Sequence, residues 1–186
     1  MAQVQGLSIQ PDVLDAELEA QIIAELDKAT WSSSLVRRTQ HYGYTYEYTQ
    51  RQLSPAQPIT GYLKYLVDWL ASNDIINADQ VIVNEYMADQ GIGKHIDKPE
   101  LFGSTIVSIS LGAPTNFIFR RLKEMVEYEL PARSLLIMSG PARYEWTHEI
   151  PKRKTVTVDG KRVKKDDDYR RISLTFRSVK TKPDVQ

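Results

Sequence analysis

The chain has 186 residues, of which 41% are hydrophobic and 26% are charged, and its formal net charge is zero. These values are typical of one soluble globular domain. The sequence contains no cysteine, which excludes disulfides, thiolate metal sites and cysteine nucleophiles. Because it has neither a signal peptide nor an apolar run of about 20 residues, we expect no membrane contact. We expect a monomer in the cytoplasm, or in the nucleus if the source is eukaryotic.

The first part of the chain predicts two amphipathic helices. The first covers residues 11–29, with one apolar face formed by Leu14, Leu18, Ile22 and Leu26. The second covers residues 58–72, with Pro58 near its start and an apolar face formed by Tyr62, Leu63, Leu66 and Leu70. Between the helices, residues 41–48 alternate aromatic and polar side chains, which predicts a strand or hairpin.

The rest of the chain predicts short strands separated by glycine and proline turns. The predicted strands cover residues 81–86, 104–111, 116–120, 134–138, 144–148 and 171–177. Residues 156–163 predict a hairpin with an Asp-Gly turn. This pattern indicates a mainly β fold of the α+β class, a sandwich or barrel with the N-terminal helices packed on one sheet.

The neutral total charge hides a basic segment. Residues 152–171 contain nine Lys or Arg and four Asp, so that this segment carries +5 and the rest of the chain −5. A local basic loop can contact phosphates even in a neutral protein. The alternative interpretation is a solvated hairpin with no ligand.

Three residues have the types and spacing of metal ligands. His95 and Asp97 are two positions apart after a glycine-rich turn, and His148 ends a predicted strand about fifty residues later. Two imidazoles and one carboxylate can occupy one face of an octahedral ion, which is the facial triad of non-haem Fe(II) oxygenases. Arg171 and Arg177 could then bind an acidic cosubstrate. The structural alternatives are a surface His–Asp pair and a partly buried histidine.

The ordered set of motifs resembles the AlkB family of Fe(II)- and 2-oxoglutarate-dependent dioxygenases. The matching pieces are an Asn-x-Tyr at Asn84, a His-x-Asp at His95, the distal His148 and an Arg-x5-Arg at Arg171. The match runs from about residue 36 to residue 178. The resemblance implies a double-stranded β-helix, or jelly roll, in a single domain over residues 1–186. Residues 1–78 would form a helical layer and a nucleotide-recognition lid, and residues 79–180 the catalytic core.

The resemblance also implies the cofactors Fe(II), 2-oxoglutarate and O2, and a role for each matching residue. His95, Asp97 and His148 would be the catalytic iron ligands. The C5 carboxylate of 2-oxoglutarate would lie on Arg171, whose planar fork suits a carboxylate. The remaining cosubstrate contacts would come from Asn84, Tyr86, Ser173 and Arg177, with Ser173 standing where some members carry Asn.

The family acts mostly on alkylated bases in DNA or RNA, so the resemblance implies such nucleic acid as partner. In the lid, Arg37 and Arg38 would meet phosphates, and Tyr42, Tyr44, Tyr46 or Tyr48 would stack on a base. The structural alternative is that these tyrosines only cover an edge hairpin. Some repair members have an acid two residues after the Asp ligand, near the amino group of the base; here that position is Pro99, and the next residue, Glu100, is the candidate substrate contact.

Three functional hypotheses follow. The first is oxidative demethylation of alkylated bases in DNA or RNA. The second is hydroxylation of a modified tRNA base or of a protein side chain. It is favoured by Pro99 and by the neutral total charge, and residues 40–44 and 143–148 resemble the branch that modifies tRNA wobble uridines. The third is a non-catalytic binding module that kept the fold.

Overall fold

The computed structural model describes residues 3–47 and 52–180, so the predicted lid residue Tyr48 lies outside the described part of the chain. The elements are numbered in chain order. The larger sheet has six antiparallel strands, which are, in order across the sheet, β1 (Leu7–Gln10), β10 (Leu135–Met138), β7 (Phe102–Gly112), β14 (Arg170–Val179), β5 (Gln80–Met87) and β2 (Thr39–Tyr42).

A smaller sheet faces the larger one. It consists, in order, of β6 (Ile92–His95), β11 (Thr147–Ile150), β8 (Thr115–Arg121) and β9 (Glu124–Leu130). Two hairpins complete the described strands: β3 (Tyr44–Glu47) with β4 (Gln52–Pro55), and β12 (Thr155–Val158) with β13 (Lys161–Lys164). A buried cluster between the sheets includes Ile106 and Leu136 from the larger sheet and Phe117 and Phe119 from the smaller sheet. This arrangement confirms the predicted jelly roll.

Both predicted helices are present and pack on the outer face of the larger sheet. They are α1 (Ala16–Lys28) and α2 (Gly61–Ser72). Ile22 and Leu26 of α1 and Leu66 and Leu70 of α2 are at most 2% exposed, and they share a core with the sheet. Helix α1 begins later than predicted because the side chain of Asp15 caps it by accepting a hydrogen bond from the Leu18 N–H at 2.7 Å. No helix in the described ranges is long and apolar enough to cross a bilayer.

Alternation along β14 divides its side chains between two environments. Ile172, Leu174 and Phe176 point to the helices and are at most 1% exposed. Arg171, Ser173, Thr175 and Arg177, at the alternate positions, therefore point to the space between the two sheets. Since β14 lies between β7 and β5, this polar row occupies the middle of the sheet.

The predicted strand over residues 144–148 is wrong in its first half. Tyr144 ends a short helix, α3 (Gly140–Tyr144), and β11 begins only at Thr147. Proline at the start of α3 favours the helical turn, and the Glu145 N–H closes it on the Pro141 carbonyl at 2.8 Å. Strands β1, β4, β6 and β9 were not predicted. Strands β1 and β2 belong to the larger sheet, although residues 1–78 were predicted to form only the helical layer and the lid.

The predicted Asp-Gly hairpin is confirmed. Asp159 and Gly160 both have positive φ, +51° and +73°, as a type I′ turn requires. The β12–β13 hairpin is attached to the smaller sheet by side chains: Asn116 Oδ1 accepts from the Thr157 N–H, and Glu129 Oε1 accepts from the Gly160 N–H. The basic segment is therefore an ordered part of the fold.

A buried carboxylate ties four parts of the chain together. Glu85 of β5 is 3% exposed and accepts bonds of 2.5 and 2.7 Å from Arg38 and one of 2.7 Å from Arg170. Arg170 also pairs with Asp27 at the end of α1. Burial raises the pKa of Glu85, but hydrogen bonds from Arg38 and Arg170 outweigh it and hold the pKa below the ordinary value. Glu85 is therefore ionised and stabilising at neutral pH.

Replacing Glu85 with Gln should lower the free energy of unfolding by roughly 1–3 kcal/mol at pH 7, because both arginines lose a charged partner. Because folding lowers this pKa, the stabilisation is present above the ordinary value of 4.5 and is lost as pH falls below it. Urea titrations of both proteins should therefore show the difference shrinking below pH 4.5. A difference independent of pH would contradict this assignment. Glu127→Gln, at the more exposed pair with Arg153, is the matched control.

Candidate active site

Two antiparallel strands bring the predicted metal ligands together. His148 of β11 is the register partner of His95 of β6, and their ring centroids are 4.3 Å apart. Asp97 follows β6 by two residues. One ligand atom from each of these three residues lies within 4.8 Å of the other two. The structure therefore assembles the predicted His-Asp-His cluster from residues more than fifty positions apart.

Hydrogen bonds orient the ligands of this cluster. His95 Nδ1 is 2.8 Å from the Gly93 carbonyl, which can only accept, so Nδ1 donates to it and Nε2 is the ring nitrogen left for a metal. Asp97 Oδ1 is 2.5 Å from Arg177 Nη2, and Asp97 Oδ2 is 3.4 Å from His148 Nε2. Such partners fix the tautomer and the direction of a metal ligand.

The protonation states suit a cation. Burial lowers the pKa of His148 to about 4, although Asp97 opposes this effect, so the imidazole is neutral at pH 7. Burial raises the pKa of Asp97, but the surrounding charges, of which Arg177 is the largest, together outweigh burial and lower the pKa overall. Neutral imidazole and ionised carboxylate are the forms that bind metal. Two histidines and one carboxylate leave three positions of an octahedral ion for other ligands, as in Fe(II) oxygenases.

A polar surface next to the cluster lines the inner face of the larger sheet. Arg171 is opposite Tyr86 in β5, and Ser173 is opposite Asn84 in β5 and Ser110 in β7. All five are at most 9% exposed. The inner face of a jelly roll is ordinarily apolar, so this row indicates a site for a polar ligand.

Of the residues in this polar surface, Arg171 indicates a bound ligand most clearly. It is 0% exposed, and only Nε has a partner, the Ser110 hydroxyl at 2.8 Å. Nη1 and Nη2 are buried without a hydrogen-bond partner among the described residues. Burial lowers the pKa of Arg171, a further sign that its charge lacks compensation. Two parallel unpaired N–H groups match one carboxylate, so Arg171 fits the distal carboxylate of 2-oxoglutarate.

The predicted lid tyrosines fall into two groups. Tyr42 is 8% exposed, donates to Gln40 at 3.0 Å and lies in the helix-side core, so the structure does not bring it to the site. Tyr44 and Tyr46 pack instead with the cluster between the sheets, and Lys98 lies 3.6 Å above the Tyr46 ring. Gly43, with φ +75°, causes the change of side because it interrupts the strand alternation between Tyr42 and Tyr44.

The two arginines that were predicted to contact phosphate, Arg37 and Arg38, lie in different environments. Arg38 is engaged by Glu85 and lies over the Trp31 ring, with 5.1 Å between the Arg38 Cζ and the ring centroid. Arg37 turns to the site, where its Nε donates to Asn84 Oδ1 at 2.8 Å. Glu100 is exposed beyond the Asp97 loop, with no hydrogen bond found for it among the described residues.

Sequence reasoning missed Arg143 and His41. Arg143 is 2% exposed and donates to the Asp97 carbonyl at 2.6 Å and the Gly103 carbonyl at 3.3 Å, so it anchors the loop that carries Asp97. His41 lies on the inner face of β2, and its Nδ1 is buried without a partner in the described ranges. Burial lowers the pKa of His41, and the charges of Arg177 and Arg37 lower it further. Neither residue belongs to a recognisable spacing motif.

Comparison with known proteins agrees with this site. Residues 15–177 match the 2OG-Fe(II) oxygenase superfamily. The chain is 34% identical over 181 residues to an uncharacterized mimivirus protein, covering 94% of this chain and 85% of that protein. It is 31% identical to the macaque protein tRNA (carboxymethyluridine(34)-5-O)-methyltransferase ALKBH8, covering 95% of this chain and 29% of that protein.

A second group of relatives has a different described activity. The chain is 33% identical to the bovine DNA oxidative demethylase ALKBH2, covering 74% of this chain and 50% of that protein. The solved structure of OsALKBH1 superposes with a TM-score of 0.72 at 19% identity, covering 96% of this chain and 99% of that structure. The chain thus spans half or less of the two relatives with a described activity.

The histidines and carboxylate of the triad supply the ligands that Fe(II) prefers, and the unpaired guanidinium of Arg171 fits the acidic cosubstrate. The chain belongs to the 2OG-Fe(II) oxygenase superfamily as an AlkB-like member, an Fe(II)-dependent dioxygenase that uses 2-oxoglutarate and O2.

Proposed function

We propose that this chain oxidises an alkylated base in DNA or RNA and removes its methyl group. The observation that carries the oxygenase part is the pairing of the His-Asp-His cluster with the buried, unpaired Arg171 on the neighbouring sheet. The observations that support a nucleic acid are the two tyrosines that pack on the apolar cluster between the sheets, the exposed basic hairpin and the described activities of the relatives.

Each residue near the cluster has a role in this proposal. His95, Asp97 and His148 hold Fe(II). Arg171 receives the C5 carboxylate of 2-oxoglutarate through Nη1 and Nη2, while the Ser110 hydroxyl fixes the guanidinium through Nε. Arg177 neutralises the outer oxygen of Asp97 and keeps that ligand directed at the metal.

Uncharged groups complete the cosubstrate pocket. Asn84 and Tyr86 lie on the same inner face and offer an amide and a phenol. Burial raises the pKa of Tyr86, so its hydroxyl stays protonated and can donate a hydrogen bond. Ser173 is held 2.9 Å from the Ser108 hydroxyl and adds a further polar group to this wall. When bound, Fe(II), 2-oxoglutarate and O2 together supply the oxidant that hydroxylates a C–H bond, and an N-hydroxymethyl product loses formaldehyde.

The tyrosines and the basic hairpin provide the contacts for nucleic acid. Tyr44 and Tyr46 present aromatic rings on the cluster side of the lid hairpin, where a base can stack. The β12–β13 hairpin and its flanks expose Lys152, Lys154, Lys161 and Lys164. These lysines have no salt bridge to a carboxylate within the part of the chain that the structure describes, which suits phosphate contacts, whereas Arg153 of the same segment is held by Glu127.

Hydroxylation of a modified tRNA base is the second candidate. It is favoured by the match to ALKBH8, which covers 95% of this chain against 74% for ALKBH2. Residues 40–44 and 143–148 carry the phrases that resemble this branch. In this case the added oxygen stays on the product, and no formaldehyde is released.

The test is an incubation of the protein with Fe(II), 2-oxoglutarate and methylated DNA and RNA oligonucleotides or tRNA, followed by mass spectrometry. Loss of a methyl group with formaldehyde is expected for the first candidate, and gain of one oxygen for the second. The His148→Ala variant should show neither, because it lacks an iron ligand. Succinate production that no nucleic acid stimulates, across the whole panel, would contradict the proposed substrate class.

Replacing Arg171 with Met should stabilise the ligand-free protein and weaken its binding of 2-oxoglutarate. Because its buried charge is unpaired without cosubstrate, an apolar side chain of similar length should raise the melting temperature of the ligand-free protein. The same change should weaken 2-oxoglutarate binding by about 100-fold, since a charge-assisted bidentate contact is lost. Differential scanning fluorimetry and calorimetry measure the two effects. A variant that is less stable and binds 2-oxoglutarate normally would contradict the role given to Arg171.

Replacing Tyr46 with Ala should weaken binding of a methylated single-stranded oligonucleotide by about 1–3 kcal/mol, the usual contribution of a stacked base. Affinity for 2-oxoglutarate should not change. Tyr42→Phe is the matched control, because Tyr42 lies in the helix-side core. Fluorescence anisotropy measures the affinity, and equal losses in both variants would show that Tyr46 has no specific part in base binding.

A further inference from the structure

The loop before β2 directs two adjacent arginines to opposite sides of the larger sheet. Arg38 makes a two-pronged pair with Glu85, and its carbonyl accepts from the Glu85 N–H at 3.0 Å. This backbone bond and salt bridge fix the chain at the edge of the sheet. Arg37, in the bend that precedes Arg38, is directed to the inner face, where it contacts Asn84.

On the inner face Arg37 meets Asn84. Its Nε donates to Asn84 Oδ1 at 2.8 Å, and Asn84 is 9% exposed. Asn84 lies between Thr39 of β2 and Ser173 of β14, so its side chain belongs to the polar row that contains Arg171. Arg37 therefore contacts the polar surface on the inner face of the larger sheet, and its side chain is only partly exposed to solvent.

The bond decides which way the Asn84 amide faces. An amide has one accepting oxygen and one donating NH2 group, and the oxygen is occupied by Arg37. With the amide reversed, its NH2 would face the N–H of Arg37 and both groups would be donors. In the observed orientation the NH2 has no hydrogen-bond partner among the described residues, so it can donate to a carboxylate or keto oxygen of 2-oxoglutarate.

The charge of Arg37 also reaches this wall. Burial raises the pKa of Tyr86, and the charges of Arg171 and Arg37 both oppose that rise. Arg37 therefore adds positive potential where a dianionic cosubstrate binds. A phosphate contact would instead require its guanidinium to face outward, as Arg38 does.

We infer that Arg37 is a positioning residue for the cosubstrate: it holds the Asn84 amide so that its NH2 group donates to 2-oxoglutarate. This inference replaces the phosphate contact expected from the sequence, and it rests on the proposed role of Asn84. The effect is on cosubstrate affinity, and nucleic-acid binding is independent of it.

The test compares Arg37→Met, Asn84→Ala and the double variant by calorimetric titration of the Mn(II)-loaded proteins with 2-oxoglutarate. Arg37→Met should raise the dissociation constant about five- to tenfold, the effect of one oriented hydrogen bond. The double variant should bind no more weakly than Asn84→Ala, because Arg37 acts through Asn84. Arg37→Lys keeps a donor and should restore binding to within about twofold of the native protein.

Arg121→Met is the matched control, since Arg121 pairs with Glu124 and Glu145 at the turn between β8 and β9. An unchanged 2-oxoglutarate affinity in Arg37→Met, with weaker and less salt-dependent oligonucleotide binding, would overturn the inference and restore the phosphate contact. Additive losses in the double variant would also overturn it. Because no nucleic acid is present in the titration, failure of the proposed substrate class leaves this result unaffected.

Discussion

The burial of Arg171 in the middle of the larger sheet is the constraint on which the site depends. A guanidinium that is 0% exposed, with two nitrogens that have no partner in the described ranges, is costly to bury, and the packing around it must offset that cost. The same strand provides that packing, because Ile172 and Leu174 enter the helix-side core on the other face. The helical layer thus stabilises strand β14, whose inward-facing side chains suit the binding of a ligand and not packing.

The metal cluster differs from the Arg171 pocket in the elements that carry its residues. Its two histidines are register partners on adjacent strands, and its carboxylate sits on a loop. The loop is fixed from two sides: Arg143 binds the backbone of Asp97, and Arg177 binds its carboxylate. Arg171 and Arg177 therefore stand on one strand yet serve opposite ends of the pocket, one for the cosubstrate and one for a metal ligand. Rigid elements supply both ends, as precise chemistry requires.

Local patterns predicted those parts of the protein that depend on local spacing. The strand predicted over residues 171–177 lies within β14, and the Asp-Gly pair gives the predicted hairpin turn. Resemblance to the AlkB family supplied the jelly roll and the pairing of His95 with His148, which no spacing rule reveals. The pairing joins strands distant in sequence, so only the folded chain, or a known relative, shows it.

The errors have equally specific causes. Tyr144 and Trp146 gave residues 144–148 a strand-like composition, but the proline turn of α3 determined the backbone. The alternating tyrosines were assigned to one surface, whereas the positive φ of Gly43 sends Tyr42 to the helix-side core and Tyr44 to the apolar cluster between the sheets. The direction of the Arg37 side chain depends on the salt bridge between Arg38 and Glu85, and the sequence alone does not reveal that salt bridge.

The central claim is that Arg171 and the metal hold opposite ends of one cosubstrate. The most direct measurement is a calorimetric cycle in which the Mn(II)-loaded native and Arg171→Met proteins each bind 2-oxoglutarate and 2-oxopentanoate. The second ligand keeps the chelating end and the chain length but lacks the distal carboxylate. The account predicts that the native protein strongly prefers 2-oxoglutarate and that the variant loses this preference. An equal preference in both proteins would show that the distal carboxylate lies elsewhere.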